Sequence, residues 1–171
     1  MRKLIILAML FSGMAAADYK ATGKAEFIAV GSPSFLKING VGGVVGCTLK
    51  GDKFVTGECL VHMKYFKTGM ELRDKHMKEK YLLTETYEYS KLTLDKFEVK
   101  EGDQSFSGIL KIKKDSARFT GQANLTKHKE SWKATLSGEV NIKDYPSIGV
   151  PSYLGITVAD KVEVKIELEA K

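Results

Sequence analysis

Two small groups of residues in this sequence carry side chains able to do chemistry. Arg73 and His76 stand three residues apart, in a run that also holds Lys75, Lys78 and Lys80. An arginine grips phosphate oxygens in a forked geometry, so this pair is a candidate for holding an anionic head group. The alternative is structural: Arg73 and Asp74 fix a helix in place, and the lysines form a solvated face. Cys47 and Cys59 are the only cysteines. The Gly51-Asp52-Lys53 turn joins their segments, so a hairpin brings the sulfurs close, and export makes oxidation possible. A Cys47–Cys59 disulfide is expected, although the simplest register sets the two residues diagonal rather than opposite.

Other reactive chemistry finds little support. His62, His76 and His128 share no ligand spacing, which predicts no metal site. His62 falls with Glu58 and Lys64 on a polar strand face and is expected to be wet. No G-x-S-x-G is present, and neither cysteine has an evident base, so no catalytic residue is assigned and an enzyme is not expected. Gly40-Val41-Gly42-Gly43-Val44-Val45-Gly46 has the look of a phosphate loop, but no G-K-[ST] follows it. Those glycines read as bulges or bends in a curved strand. No cofactor is predicted.

The elements that position these residues are mostly strands. Ala117, Phe119, Gly121, Ala123 and Leu125 alternate with polar residues, as do Trp132, Ala134, Leu136, Gly138 and Val140, and then Val162, Val164, Ile166 and Leu168. A period of two marks strands with one buried and one wet face. Weaker alternation runs over 19–30, 35–40, 44–50, 59–66, 92–99 and 106–113, with turn signals between. About eight or nine strands in succession predict an all-β antiparallel barrel or sandwich in one domain. The exception starts at Thr68-Gly69, where Met70, Arg73, Met77 and Tyr81 are spaced for one helical face. This predicts a short helix across one end of the barrel. The segment 147–155 shows no alternation and is expected to be a loop over the same or the other mouth.

The first residues read as an export signal. Arg2 and Lys3 precede an apolar run from Leu4 to Phe11, and Ala15-Ala16-Ala17 follows as a small-residue cleavage site. The expectation is a signal peptide over 1–17, a mature domain over 18–171, and a periplasmic or secreted location. The 171-residue chain has 27 Lys+Arg and 21 Asp+Glu, a formal charge of +6. Loss of Arg2 and Lys3 leaves 25 basic against 21 acidic residues, or +4. With the lysines scattered, nucleic acid is not expected as a partner.

The inward faces are the informative ones. Ala21, Gly23, Ala25 and Ala29 alternate with Phe27, and glycine and alanine recur on the later apolar faces. An eight-stranded barrel is just wide enough to be filled by side chains or to hold one small ligand. Small inward residues leave room for a cavity lined by Phe27, Phe119, Leu125, Trp132, Leu136 and Val140, with Met70 and Met77 from the helix, suited to a hydrophobic ligand. The other reading is that large and small residues interdigitate and fill the barrel.

The run Thr68-Gly69-Met70-Glu71-Leu72-Arg73-Asp74-Lys75-His76-Met77 resembles the T-G-x-x-x-R-D-x-H-(L/M) segment of the YceI-like family. The stretch from Tyr145-Pro146-Ser147 to Asp160-Lys161-Val162 is similar to that family's segment ahead of its last strand. The resemblance implies a lipocalin-like antiparallel barrel, exported to the periplasm. It also implies a polyisoprenoid chain, such as an isoprenyl pyrophosphate or a quinone-type tail, held in a long apolar tunnel. The functional expectation is thus a non-catalytic carrier or buffer for an isoprenoid lipid. The alternatives are a secreted interaction or inhibitor module with a packed barrel, or an outer-membrane β-barrel. The partner expected is a hydrophobic small molecule, without stable membrane insertion, and a homodimer stays open.

Overall fold

The computed structural model describes residues 18–33, 36–153 and 155–170. The predicted signal peptide lies outside the described residues. Eight long strands form one closed antiparallel barrel: β1 (Asp18–Ser32), β2 (Lys37–Gly51), β3 (Phe54–His62), β4 (Tyr89–Glu98), β5 (Gly102–Ile112), β6 (Asp115–His128), β7 (Ser131–Asn141) and β9 (Ile156–Ala170). Each pairs with its neighbour in this order, and β9 closes the ring on β1. The two-residue β8 (Ser152–Tyr153) pairs with the start of β9, where β7 has already ended.

The alternation read from the sequence sets the two faces. Along β1, Ala21, Ala25 and Ala29 are buried while Thr22, Lys24, Glu26 and Ile28 are exposed. On β9 next to it, Ile166 and Leu168 are buried and Lys165, Glu167 and Glu169 exposed. Apolar side chains therefore point inward, and charged residues occupy mid-strand positions on the outside. A barrel spanning a bilayer needs the opposite arrangement, an outward apolar band.

Two segments differ from the sequence reading. Residues 35–40 and 44–50, read as separate strands, lie largely in the single strand β2. Ala25 pairs with Gly43 and Phe27 with Gly40, so β2 carries one extra residue there, and Gly42 adopts a φ of +95°. The glycine run is a bulge that lets a long strand turn without ending. The helix begins at Glu71, as α1 (Glu71–His76), and continues as a wider π-helical segment through Met77–Tyr81.

The barrel has two unlike ends. The β2–β3, β4–β5 and β6–β7 hairpin turns lie at one, together with the start of β1 and the end of β9, where Ala21 pairs with Ala170. At the other lie the helix and the 142–155 connection.

Candidate functional site

Among the described residues the interior holds two cavities that have no lining residue in common. The first, about 260 Å³, lies at the helix end. Strands β1, β6, β7 and β9 supply Ala25, Phe27, Ala29, Phe119, Val140 and Ile166, and the connections supply Phe66, Met77, Tyr81 and Ile148. Hydrocarbon dominates its wall. The polar side chains on it are few: Glu26, Thr68, Arg73, His76, Tyr81, Ser90 and Ser152.

The aromatic residues of this wall explain several glycines. The Phe27 and Phe66 rings pack at 5.3 Å between centroids. A Cβ at Gly40 would fall 1.9 Å from the Phe27 ring, and one at Gly43 would fall 2.4 Å from that of Phe66. The glycines are floors on which rings lie, so part of the space they vacate is occupied rather than hollow.

The Thr68–Asp74 turn fixes the helix. Asp74 Oδ1 accepts from the Thr68 amide at 2.7 Å and from its hydroxyl at 2.5 Å. Arg73 donates from Nε to Thr68 Oγ1 at 2.8 Å and from Nη2 to the Thr68 carbonyl at 2.5 Å. The structural alternative for the Arg-Asp pair is thus realised. Arg73 lines the cavity too, as does His76, and only part of its five-donor guanidinium is engaged by Thr68.

The 142–155 connection covers the same mouth as the helix, and two side chains tie these covers together. The Tyr81 hydroxyl donates to the Ser152 carbonyl at 2.9 Å and accepts from its amide at 3.0 Å. Hydrogen bonding from Ser152 holds the Tyr81 phenol below its usual pKa. Lys113, only 9% exposed, donates from Nζ to the Tyr81 carbonyl at 3.0 Å and also to the Ser147 carbonyl. A buried ammonium is costly unless hydrogen-bonded, and these carbonyls satisfy it. Beside it the Ser147 amide donates to Asp115 Oδ2 at 2.7 Å, and hydrogen bonding from Ser147 lowers the Asp115 pKa. Sequence reasoning missed Lys113 because the alternation over 106–113 puts it on the outward face, whereas the strand itself ends at Ile112. A φ of +55° then turns Lys113 inward.

The second cavity, about 420 Å³, lies at the hairpin end. Leu125, Trp132 and Leu136, expected to share a wall with Phe27 and Phe119, line this one instead. The barrel is long enough for β6 and β7 to contribute to both ends, a length that periodicity does not report. Met70 lies on neither wall. It precedes the first helical residue and is 46% exposed, because the turn at Gly69 sends Arg73, His76 and Met77 toward the cavity instead.

Cys47 and Cys59 are joined, as a direct cross-strand pair with Cα atoms 4.0 Å apart. The expected diagonal register is corrected: the hairpin turn lies one residue further along than Gly51-Asp52-Lys53, since Gly51 already pairs with Val55, and that shift brings Cys59 opposite Cys47. His62 is likewise not wet. Its side chain is 15% exposed, between the Tyr65 and Tyr89 rings at 4.5 and 4.6 Å, with Nε2 at 2.7 Å from Glu88. Among the described residues no group of three or more His, Cys, Asp and Glu is placed to hold a metal. No described helix is long and apolar enough to cross a membrane.

The sequence matches the family described as YceI-like domain over residues 20–170. No curated protein matches it. Among solved structures, Burkholderia cenocepacia BcnA superposes with a TM-score of 0.70 at 15% identity, covering 86% of this chain and 96% of that one. A polyisoprenoid binding domain from Saccharophagus degradans gives 0.68 at 13% identity, covering 90% and 97%. The Campylobacter jejuni YceI protein gives 0.60 at 17%, covering 73% and 79%. At these identities the likeness is one of fold.

Proposed function

The chain belongs to the YceI-like family, whose match spans nearly all of its described residues, and from that premise we propose that it is an exported, non-catalytic carrier of an isoprenoid lipid. The observation that carries this reading is the helix-end cavity, whose walls are hydrocarbon from Ala25 to Ile166. The similar fold of a polyisoprenoid binding domain supports it.

The mechanism is burial. A prenyl chain moved from water to this wall gains about 0.8 kcal/mol for each carbon desolvated. The cavity's 260 Å³ falls below the roughly 300–1,000 Å³ usual for small-molecule pockets. It therefore holds a short isoprenoid segment, and a longer chain requires the helix and the 142–155 connection to part. Arg73 and His76 face the head group, and a diphosphate there meets the guanidinium donors that Thr68 does not engage. No step of chemistry is required of any residue.

Solvent extraction of protein purified without added lipid, followed by mass spectrometry, tests this. A co-purified prenyl lipid, or saturable binding of farnesol, is expected. Protein that is empty and indifferent to prenyl alcohols would refute the carrier role.

A further inference from the structure

The geometry points to a second, independent binding site in the hairpin-end cavity, for one compact, uncharged and preferably aromatic molecule. Two features show that this space is not a continuation of the first. No residue lines both cavities. Between them lies a waist in which the Cys47–Cys59 disulfide and Val45 are buried on neither wall. Across the barrel from these strands, Phe106 and Phe119 meet edge-on at 5.5 Å, Phe106 facing the hairpin end and Phe119 the helix end.

The chemistry of the wall names the class of ligand. Tyr19, Phe97, Phe106 and Trp132 give it aromatic faces, which suit a planar apolar partner. Ala21, Ala134 and Ala170 stand on the wall where larger residues would fill the space, and they keep about 420 Å³ open. This volume falls within the range of small-molecule pockets. The charged residues on the wall do not favour an ion of either sign. Asp52 opposes Lys53 and Lys127; Lys53 is paired with Glu98 at 3.5 Å, and Lys127 sits 5.6 Å from the centre of the Trp132 ring. An uncharged ligand leaves these pairings undisturbed.

Trp132 is the only tryptophan in the chain, which makes the site readable. Bromobenzene is a suitable probe, because its bromine quenches tryptophan emission only at contact and locates itself by anomalous scattering. Titration of the full chain is expected to quench Trp132 emission to a plateau, and a crystal soaked in the probe is expected to show bromine between Trp132 and Phe106. Ala134→Leu, or Ala170→Leu if the first does not fold, is expected to weaken the saturable quenching at least tenfold. Quenching that rises linearly without a plateau, or bromine found in the helix-end cavity alone, would overturn the proposal. Neither arm uses a prenyl lipid, so the result stands apart from the carrier reading.

Discussion

Tyr81 holds Ser152 by both of its main-chain groups: the phenol donates to the carbonyl and accepts from the amide. One hydroxyl thereby fastens the helical cover to the loop cover over the same cavity. A single exposed hydrogen bond is worth about 1 kcal/mol, so Tyr81→Phe is expected to cost little stability. Its effect is expected in rates instead, with faster release of a bound prenyl alcohol and faster exchange of the Ser152 amide. Unchanged dissociation and exchange would show that the covers do not part at this point.

Arg73 offers a sharper test of the head-group assignment. Arg73→Gln is expected to weaken binding of farnesyl diphosphate about tenfold, or about 1.4 kcal/mol, while leaving farnesol unaffected. Because Arg73 also supports the Thr68 turn, equal losses for both ligands would assign it a purely structural role.

Chain-length selectivity follows from the cavity's size. Along the alcohols geraniol, farnesol and geranylgeraniol, affinity is expected to climb at least tenfold per isoprene unit while each fits, against a ceiling of about 0.8 kcal/mol per buried carbon. It is then expected to level off. Calorimetric titration of the series gives the break point, and a climb without a break would mean that the interior opens freely.

Gly138 is a place where one methyl group matters. A Cβ there would lie 2.7 Å from the Phe119 ring and 2.8 Å from the Thr120 carbonyl. Gly138→Ala is expected to destabilise the barrel by about 1–3 kcal/mol, the usual cost of overpacking. Gly46→Ala, where the same atom meets nothing within 4 Å, is the control, and urea unfolding of the two compares them.

Tyr145 sets an alkaline limit. It is 2% exposed, donates to the Leu110 carbonyl at 3.2 Å, and burial pushes its pKa up from 10 to about 12. Folding thus favours the protonated phenol. Its contribution is intact below pH 10 and is lost as pH rises toward 12. Tyr145→Phe is expected to flatten the fall in stability across that window, measured by unfolding at a series of alkaline pH values.

The strands and the helix position were legible because each has a period: two for the barrel walls, and near four for Met70, Arg73, Met77 and Tyr81. Arg73, His76 and Met77 could be placed at a mouth for the same reason. What the sequence did not show was depth. Phe119 and Leu125 share the inward face of β6, yet line different cavities, and nothing in alternation says where along a strand a barrel is blocked. The block comes from long-range partners. The Phe106 and Phe119 rings come from adjacent strands, and each lies near a glycine of a neighbouring one, Gly121 and Gly138. His62 was misread because the rings that cover it belong to Tyr65 and Tyr89, residues outside the polar face on which it was placed.

The start of β1 and the end of β9 lie side by side at the hairpin end, with Ala21 opposite Ala170. That placement gives the barrel a front and a back. A bead, surface or fused protein attached through either strand end stands against the back and leaves the helix-covered mouth turned toward open solution, so lipid uptake at that mouth can be assayed on immobilised protein.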